Sequence, residues 1–125
     1  MYKIKVISYF SAAHFLRNYK GKCESLHGHN WKVEVEISKE KLNSSGFIMD
    51  FGELKEKLNE VLEKLDHKVL NEIEYFKERN PTSEELAFYT FSQLKKILPQ
   101  DCKLIRVSVW EKEDSCATYE EKIKE

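Results

Sequence analysis

The sequence predicts an α+β fold: a four-stranded antiparallel sheet with a helical pair on one face, in the order β-β-α-α-β-β. Apolar and polar residues alternate in segments near both ends of the chain, the period of strands with one buried face. Two central stretches instead repeat their apolar residues at helical spacing. Strands grouped at the two ends around helices favour an antiparallel sheet over a doubly wound parallel one.

The first strand is predicted within Lys3 to Leu16, where Ile4, Val6, Phe10 and Ala12 share one parity and His14 falls on the same face. A polar stretch from Arg17 to Ser25, with Gly21 inside it, reads as a loop. In the second strand Trp31, Val33, Val35 and Ile37 alternate with Lys32, Glu34 and Glu36, and His27 and His29 precede them in matching parity. Asn43-Ser44-Ser45-Gly46 reads as a turn. Asp50 and Glu53 then suit the N-cap and reaching-back partner of a helix. Its apolar stripe is Phe51, Leu54, Leu58, Val61, Leu62 and Leu65, and it ends near Asp66-His67. Asn80-Pro81 blocks helix, and Thr82 to Glu85 forms a second capping box, opening a helix to about Leu98, before Pro99. Ile105, Val107 and Val109 alternate up to Glu111 as a third strand, and Ala117 to Ile123 forms a fourth. Open strand edges are a liability unless covered or paired, so lateral assembly into a larger closed sheet is expected.

A chain of 125 residues is the size of one domain, spanning 1–125. Apolar residues make up 41% and charged residues 34%, with 21 basic against 22 acidic side chains, so nothing draws the surface toward nucleic acid. No stretch approaches the ~20 apolar residues needed to cross a bilayer, and the alternating start does not read as a leader. Cys23, Cys102 and Cys116 are odd in number and irregularly spaced, which argues for a reducing compartment and a cytoplasmic protein.

The strongest chemical signal is His27-Gly28-His29. Two histidines two positions apart in an extended chain project from one face, so both imidazoles can converge on one ion, and Gly28 leaves room there. His14, from the neighbouring strand, completes three neutral nitrogen ligands with one open position, as in a catalytic zinc site. The bland reading is that these histidines cap turns or sit satisfied in the core. Cys23, four residues before His27, is placed to be a base whose thiol a nearby metal acidifies. It could equally be a fourth ligand that closes the site, or a chance small residue. Cys102 and Cys116 read as inert core thiols. Asp66-His67 is either a proton-transfer pair or a polar helix end facing water. Glu111 puts an acid at the end of a buried face, where it needs a partner: a planar ligand edge with adjacent N–H donors, or an internal lysine or arginine.

Taken together, FSAAHFL (10–16), CESLHGHNW (23–31), MDFGELK (49–55), LDHKVLN (65–71), NPTSEELA (80–87) and the late Glu111 resemble the 6-pyruvoyl-tetrahydropterin synthase family over nearly the whole chain. The resemblance implies a tunnelling fold, in which sheets of several subunits close into a barrel with active sites between subunits. It implies that His14, His27 and His29 bind Zn2+, that Cys23 is the general base, and that Asp66 and His67 complete its relay from an adjacent subunit. Glu111 then anchors the pterin, and Thr82 and Ser83 line its pocket. The Cys-x-x-x-His-Gly-His spacing is similar to the branch that forms 6-carboxy-5,6,7,8-tetrahydropterin in queuosine biosynthesis. That branch converts 7,8-dihydroneopterin triphosphate, releasing acetaldehyde and triphosphate. Lys112 stands where the family often has threonine after the anchoring glutamate, and Trp110-Glu111 resembles the tetrahydrobiopterin branch. A synthase that stops at 6-pyruvoyltetrahydropterin, and a non-enzymatic zinc-stabilised binding module, are therefore the alternatives. Lys112 reads as a solvated side chain in preference to a phosphate contact.

Overall fold

Two strands of 13 residues, β1 (Tyr2–His14) and β2 (His27–Lys39), form the backbone of the sheet in a computed structural model. It describes residues 1–21 and 24–122. Cys23 and the Ile123 end of the predicted fourth strand lie outside the described residues. The strands run antiparallel without a slip from Tyr2 opposite Lys39 to His14 opposite His27. Strict alternation therefore keeps Val6, Phe10 and Ala12, with Trp31, Val33, Val35 and Ile37, on one buried face. Ser8 interrupts the apolar run at a buried position, and its hydroxyl donates to Asn59 Oδ1, so the buried group is satisfied.

The helix α1 (Phe51–Leu62) buries Leu54, Leu58, Val61 and Leu62. Asp50 caps it by accepting from the Gly52 N–H at 2.7 Å. Phe51, expected in the stripe, is 60% exposed, because the first helical residue lies beyond the edge of the packed face. The helix also stops short of Asp66-His67. Leu65 and Asp66 N–H groups both bond to Leu62 O, tightening the last turn, and His67 turns left-handed at φ +59°. The chain then adds a strand too short to be read from alternation: β3 (Lys68–Val69), parallel to β1 at Ala12 and Ala13.

Two 3-10 turns, Leu70–Glu72 and Glu74–Phe76, lead to α2 (Ser83–Ile97). Thr82 caps α2 by accepting from the Glu85 N–H at 3.1 Å, but Thr82 gives its own N–H to Asn80 O. The expected capping box is thus half formed. Then β4 (Lys103–Lys112) and β5 (Ser115–Glu120) complete a sheet of order β3-β1-β2-β4-β5. Its four long strands are antiparallel as predicted, and β3 makes the sheet mixed. Both helices lie on one face, where Leu54, Leu58, Leu86, Phe91 and Leu94 join Val33, Val35, Val107 and Val109 in one cluster. Each such leucine contributes roughly 1.5–3 kcal/mol by burial.

The opposite face is polar, with Arg106 paired to Glu36 and Glu120 and Lys5 and Lys32 to Glu34. Cys116 belongs to this open face and is exposed, contrary to the expectation of a core thiol, because β5 turns Ala117 and Tyr119 inward instead. Cys102 is buried, and burial pushes its thiol pKa up, which leaves it inert. The β4–β5 ladder slips between Trp110, opposite Cys116, and Lys112, opposite Ser115, so Glu111 is an extra, bulged residue. No helix among the described residues is long and apolar enough to cross a membrane.

Candidate metal centre

The register that builds the core also builds a site at its end. Phe10 faces Trp31, Ala12 faces His29, and His14 faces His27, all on the buried side of the sheet. The aromatic pair stacks with centroids 5.9 Å apart. The Trp31 ring then stands edge-on to His14 and His29, at 5.0 and 5.2 Å, and its Nε1 donates to Ala12 O. A fully buried indole is therefore the floor on which the imidazoles rest. Gly28 falls on the other face by alternation, and a Cβ there would meet only Ala12 O at an ordinary 3.7 Å. It is not needed to make room for the ring pair, as the sequence had suggested.

His14 is 2% exposed. Its Nδ1 lies 2.7 Å from Pro81 O, and because a carbonyl only accepts, Nδ1 carries the proton and Nε2 the lone pair. His27 is fixed likewise by Ser25 O, 2.8 Å from its Nδ1. One ligand atom from each of His14, His27, His29 and Glu111 falls within 4.8 Å of all the others. Glu111 Oε1 is 3.1 Å from His14 Nε2 and 3.2 Å from His29 Nε2. These are close approaches without hydrogen-bond geometry, and both nitrogens are buried without a hydrogen-bond partner among the described residues. Orphaned buried polar atoms normally cost about 1–3 kcal/mol each. A divalent cation among them removes that cost, so the donor set fits a metal. Burial foremost, with the neighbouring His14 and His27 and Lys112 adding, lowers the pKa of His29 against the opposing pull of Glu111. Its imidazole is thereby kept neutral, the form that ligates metals.

The structure does not bring Asp66 and His67 into this cluster. They sit at the outer edge of β1, where Ser11 N–H donates to Asp66 Oδ1 at 2.8 Å and His67 N–H to Ser11 O. The other carboxylate oxygen holds His67 Nδ1 at 2.9 Å. The Ser11 amide foremost, and His67 after it, keep the Asp66 carboxyl below the usual carboxylate range. The ring of His67 is exposed, over a shallow cleft of about 460 Å³ lined also by Ser11, Ala13, Gly28 and Asn30.

Thr82 and Ser83 are half-buried at the head of α2, directly after the carbonyl that holds His14. Lys112 is exposed, as expected. Glu24 N–H donates to Leu16 O and its carboxylate accepts from Leu16 N–H. Sequence reading missed the carbonyls of Ser25 and Pro81 and the floor provided by Trp31. The parity that Trp31 shares with His29 was the available signal for the last.

Comparison with known proteins points the same way. The family model described as 6-pyruvoyl tetrahydropterin synthase matches residues 3–122. A provisionally named 6-carboxy-5,6,7,8-tetrahydropterin synthase of Archaeoglobus fulgidus is 45% identical over 115 residues, covering 91% of each chain. The dihydroneopterin monophosphate aldolase of Pyrococcus furiosus is 39% identical over 102 residues, covering 82% of each. Among solved structures, the 6-pyruvoyl tetrahydropterin synthase of Caenorhabditis elegans superposes with a TM-score of 0.84 at 29% identity, over 97% of this chain and 96% of that one.

Proposed function

We propose, from the premise that this chain belongs to the 6-pyruvoyl tetrahydropterin synthase family, that it is a zinc lyase forming 6-carboxy-5,6,7,8-tetrahydropterin. The substrate is 7,8-dihydroneopterin triphosphate, and acetaldehyde and triphosphate leave as water is consumed. In this reading it acts as one domain in the cytoplasm, supplying queuosine biosynthesis. The observation that carries it is the convergence of His14, His27 and His29, two of them with Nδ1 already committed to carbonyls. Their remaining nitrogens would hold Zn2+, leaving one coordination position to the substrate. Bound there, the ion would supply Lewis acidity toward the side-chain oxygens and so acidify the adjacent C–H.

The chain's own groups do the rest. Cys23 removes a proton from the pterin side chain as triphosphate departs. Asp66 orients His67 through Nδ1, so that Nε2 can carry protons during carbon–carbon cleavage. Because that pair stands at the outer edge of β1, away from the histidine cluster, it serves the site of a neighbouring subunit in a barrel of paired sheets. Glu111, at the end of the buried face of β4, accepts N–H donors from the pterin edge. Thr82 and Ser83 line the pterin pocket.

A second reading is favoured by the 39% identity to an aldolase acting on dihydroneopterin monophosphate. The same cluster and relay would then cleave the carbon–carbon bond of a monophosphate without eliminating triphosphate. One assay separates the readings. Given 7,8-dihydroneopterin triphosphate, the protein is expected to release acetaldehyde and triphosphate in equal amounts. Triphosphate without acetaldehyde identifies a synthase that stops at 6-pyruvoyltetrahydropterin, and release of a phosphorylated two-carbon aldehyde from the monophosphate identifies an aldolase. Cys23→Ala should keep zinc and lose turnover; loss of zinc would make the thiol a ligand.

A further inference from the structure

We propose that Asn80, locked in place by Arg17, is a positioning residue that sets the tautomer and aim of His14 toward its metal. The inference rests on the metal-binding reading above and concerns how one ligand is held.

The β1–β3 pairing ends at Ala13, opposite Val69, so the chain leaving β1 needs other partners for its backbone. Two asparagine side chains supply them. Phe15 N–H donates to Asn71 Oδ1 at 3.0 Å while Asn71 Nδ2 donates to Phe15 O at 2.9 Å. Arg17 N–H donates to Asn80 Oδ1 at 2.7 Å while Asn80 Nδ2 donates to Arg17 O at 3.1 Å. A carboxamide presents one acceptor and a donor side by side, as a peptide group does, so each asparagine extends the edge of β1 as a strand would. The guanidinium of Arg17 then reaches back and donates to Asn71 O, Phe76 O and Arg79 O. The whole connection from Asn71 to Asn80 is thereby fastened to the two residues that follow His14 most closely on that edge.

The next residue in the chain is Pro81. Its ring fixes φ, and the bond from Thr82 N–H to Asn80 O spans it at 2.9 Å, so its carbonyl is held relative to Asn80. That carbonyl accepts from His14 Nδ1 at 2.7 Å, in a buried setting. Without the clamp the carbonyl can swing, His14 can take either tautomer, and Nε2 is no longer committed to the metal. Groups that orient a ligating histidine in this way typically carry about 10–100-fold in metal affinity.

The test is zinc affinity, by chelator competition on the intact protein, for wild type, Asn80→Ala and Asn80→Asp. Asn80→Asp keeps the acceptor for Arg17 N–H but sets an oxygen against Arg17 O, so it remains informative if Asn80→Ala does not fold. Nitrogen-detected NMR of the zinc-loaded protein reads the His14 tautomer directly. The expected result is a wild-type His14 protonated at Nδ1, and zinc binding weakened about tenfold or more in a folded variant, with that Nδ1 proton signal shifted or lost. Affinity within twofold of wild type, with an unchanged His14 signal, overturns the proposal. If wild type itself binds no zinc, the functional reading fails first, and the two failures are thus distinct.

Discussion

His14 and His67 are the same side chain put to opposite uses, and the partner of Nδ1 makes the difference. His14 is 2% exposed and gives Nδ1–H to a neutral carbonyl, which holds the ring and leaves the Nε2 lone pair uncommitted. His67 has 81% of its side chain exposed and meets a carboxylate that the Ser11 amide keeps ionised. A carboxylate partner accepts from Nδ1 whichever protonation state the ring holds, whereas a carbonyl partner fixes the Nδ1–H tautomer and reserves the Nε2 lone pair. The first arrangement suits a metal ligand and the second a proton carrier. Both are assembled on β1, one on its buried face and one on its outer edge.

The sharpest way to break this contrast is to remove His14. His14→Ala should lower zinc affinity by more than about a hundredfold, beyond the loss of an orienting group alone, and abolish turnover. Chelator competition and the acetaldehyde assay measure both, and zinc retained at wild-type affinity would end its role as ligand. Asp66→Asn should do the reverse, leaving zinc in place while turnover falls by about 10²–10⁴ through loss of the charge that supports His67. If His67 serves a neighbour, mixing inactive Cys23→Ala with inactive His67→Ala should restore activity in hybrid oligomers, and an inert mixture would place the relay within one subunit. Glu111→Gln should raise KM for the pterin by about 10–100-fold, the worth of a charge-assisted pair, with a smaller effect on zinc content.

The smallest effect is in pH dependence. The folded pKa of His29 is depressed, so between the unfolded value of about 6.5 and the folded one the unfolded chain takes a proton that the folded chain refuses. Stability of the metal-free protein should therefore decline as pH falls through that window. Asp66 is also depressed, so its contribution is present above about pH 4 and is lost as pH falls through its lower folded value. Thermal unfolding of metal-free His29→Asn should show a flatter profile below pH 6.5, and that of Asp66→Asn a flatter one below pH 4.

Much of this was legible in the sequence because it rests on period two. Long strands paired without a slip carry parity faithfully from Val6 and Phe10 to His14, and from Ile37 back to His27, so three imidazoles on one face could be anticipated. What escaped depends on contacts that leave no periodic trace. Asn71 and Asn80 act on residues 56 and 63 positions earlier, and neither pairing has a local signature. A two-residue strand cannot show alternation, Phe51 continues a helical stripe past the edge of the surface it would cover, and Cys116 lies on the face that its own strand turns outward. Glu111 was visible as an acid out of place on the parity of Val107 and Val109, but its approach to His14 and His29 follows from the pairing of β4 with β2, which single-chain parity cannot register.

The slip in the β4–β5 ladder has a genetic corollary. Since Glu111 is the surplus residue of its hairpin, losing its one codon would leave Trp110 followed directly by Lys112, and the two strands could zip together more regularly than before. The acid would vanish while the architecture improved. Inactive descendants of this chain could then be better folded than their parent, and good behaviour in a tube would be a poor guide to whether the reaction survives.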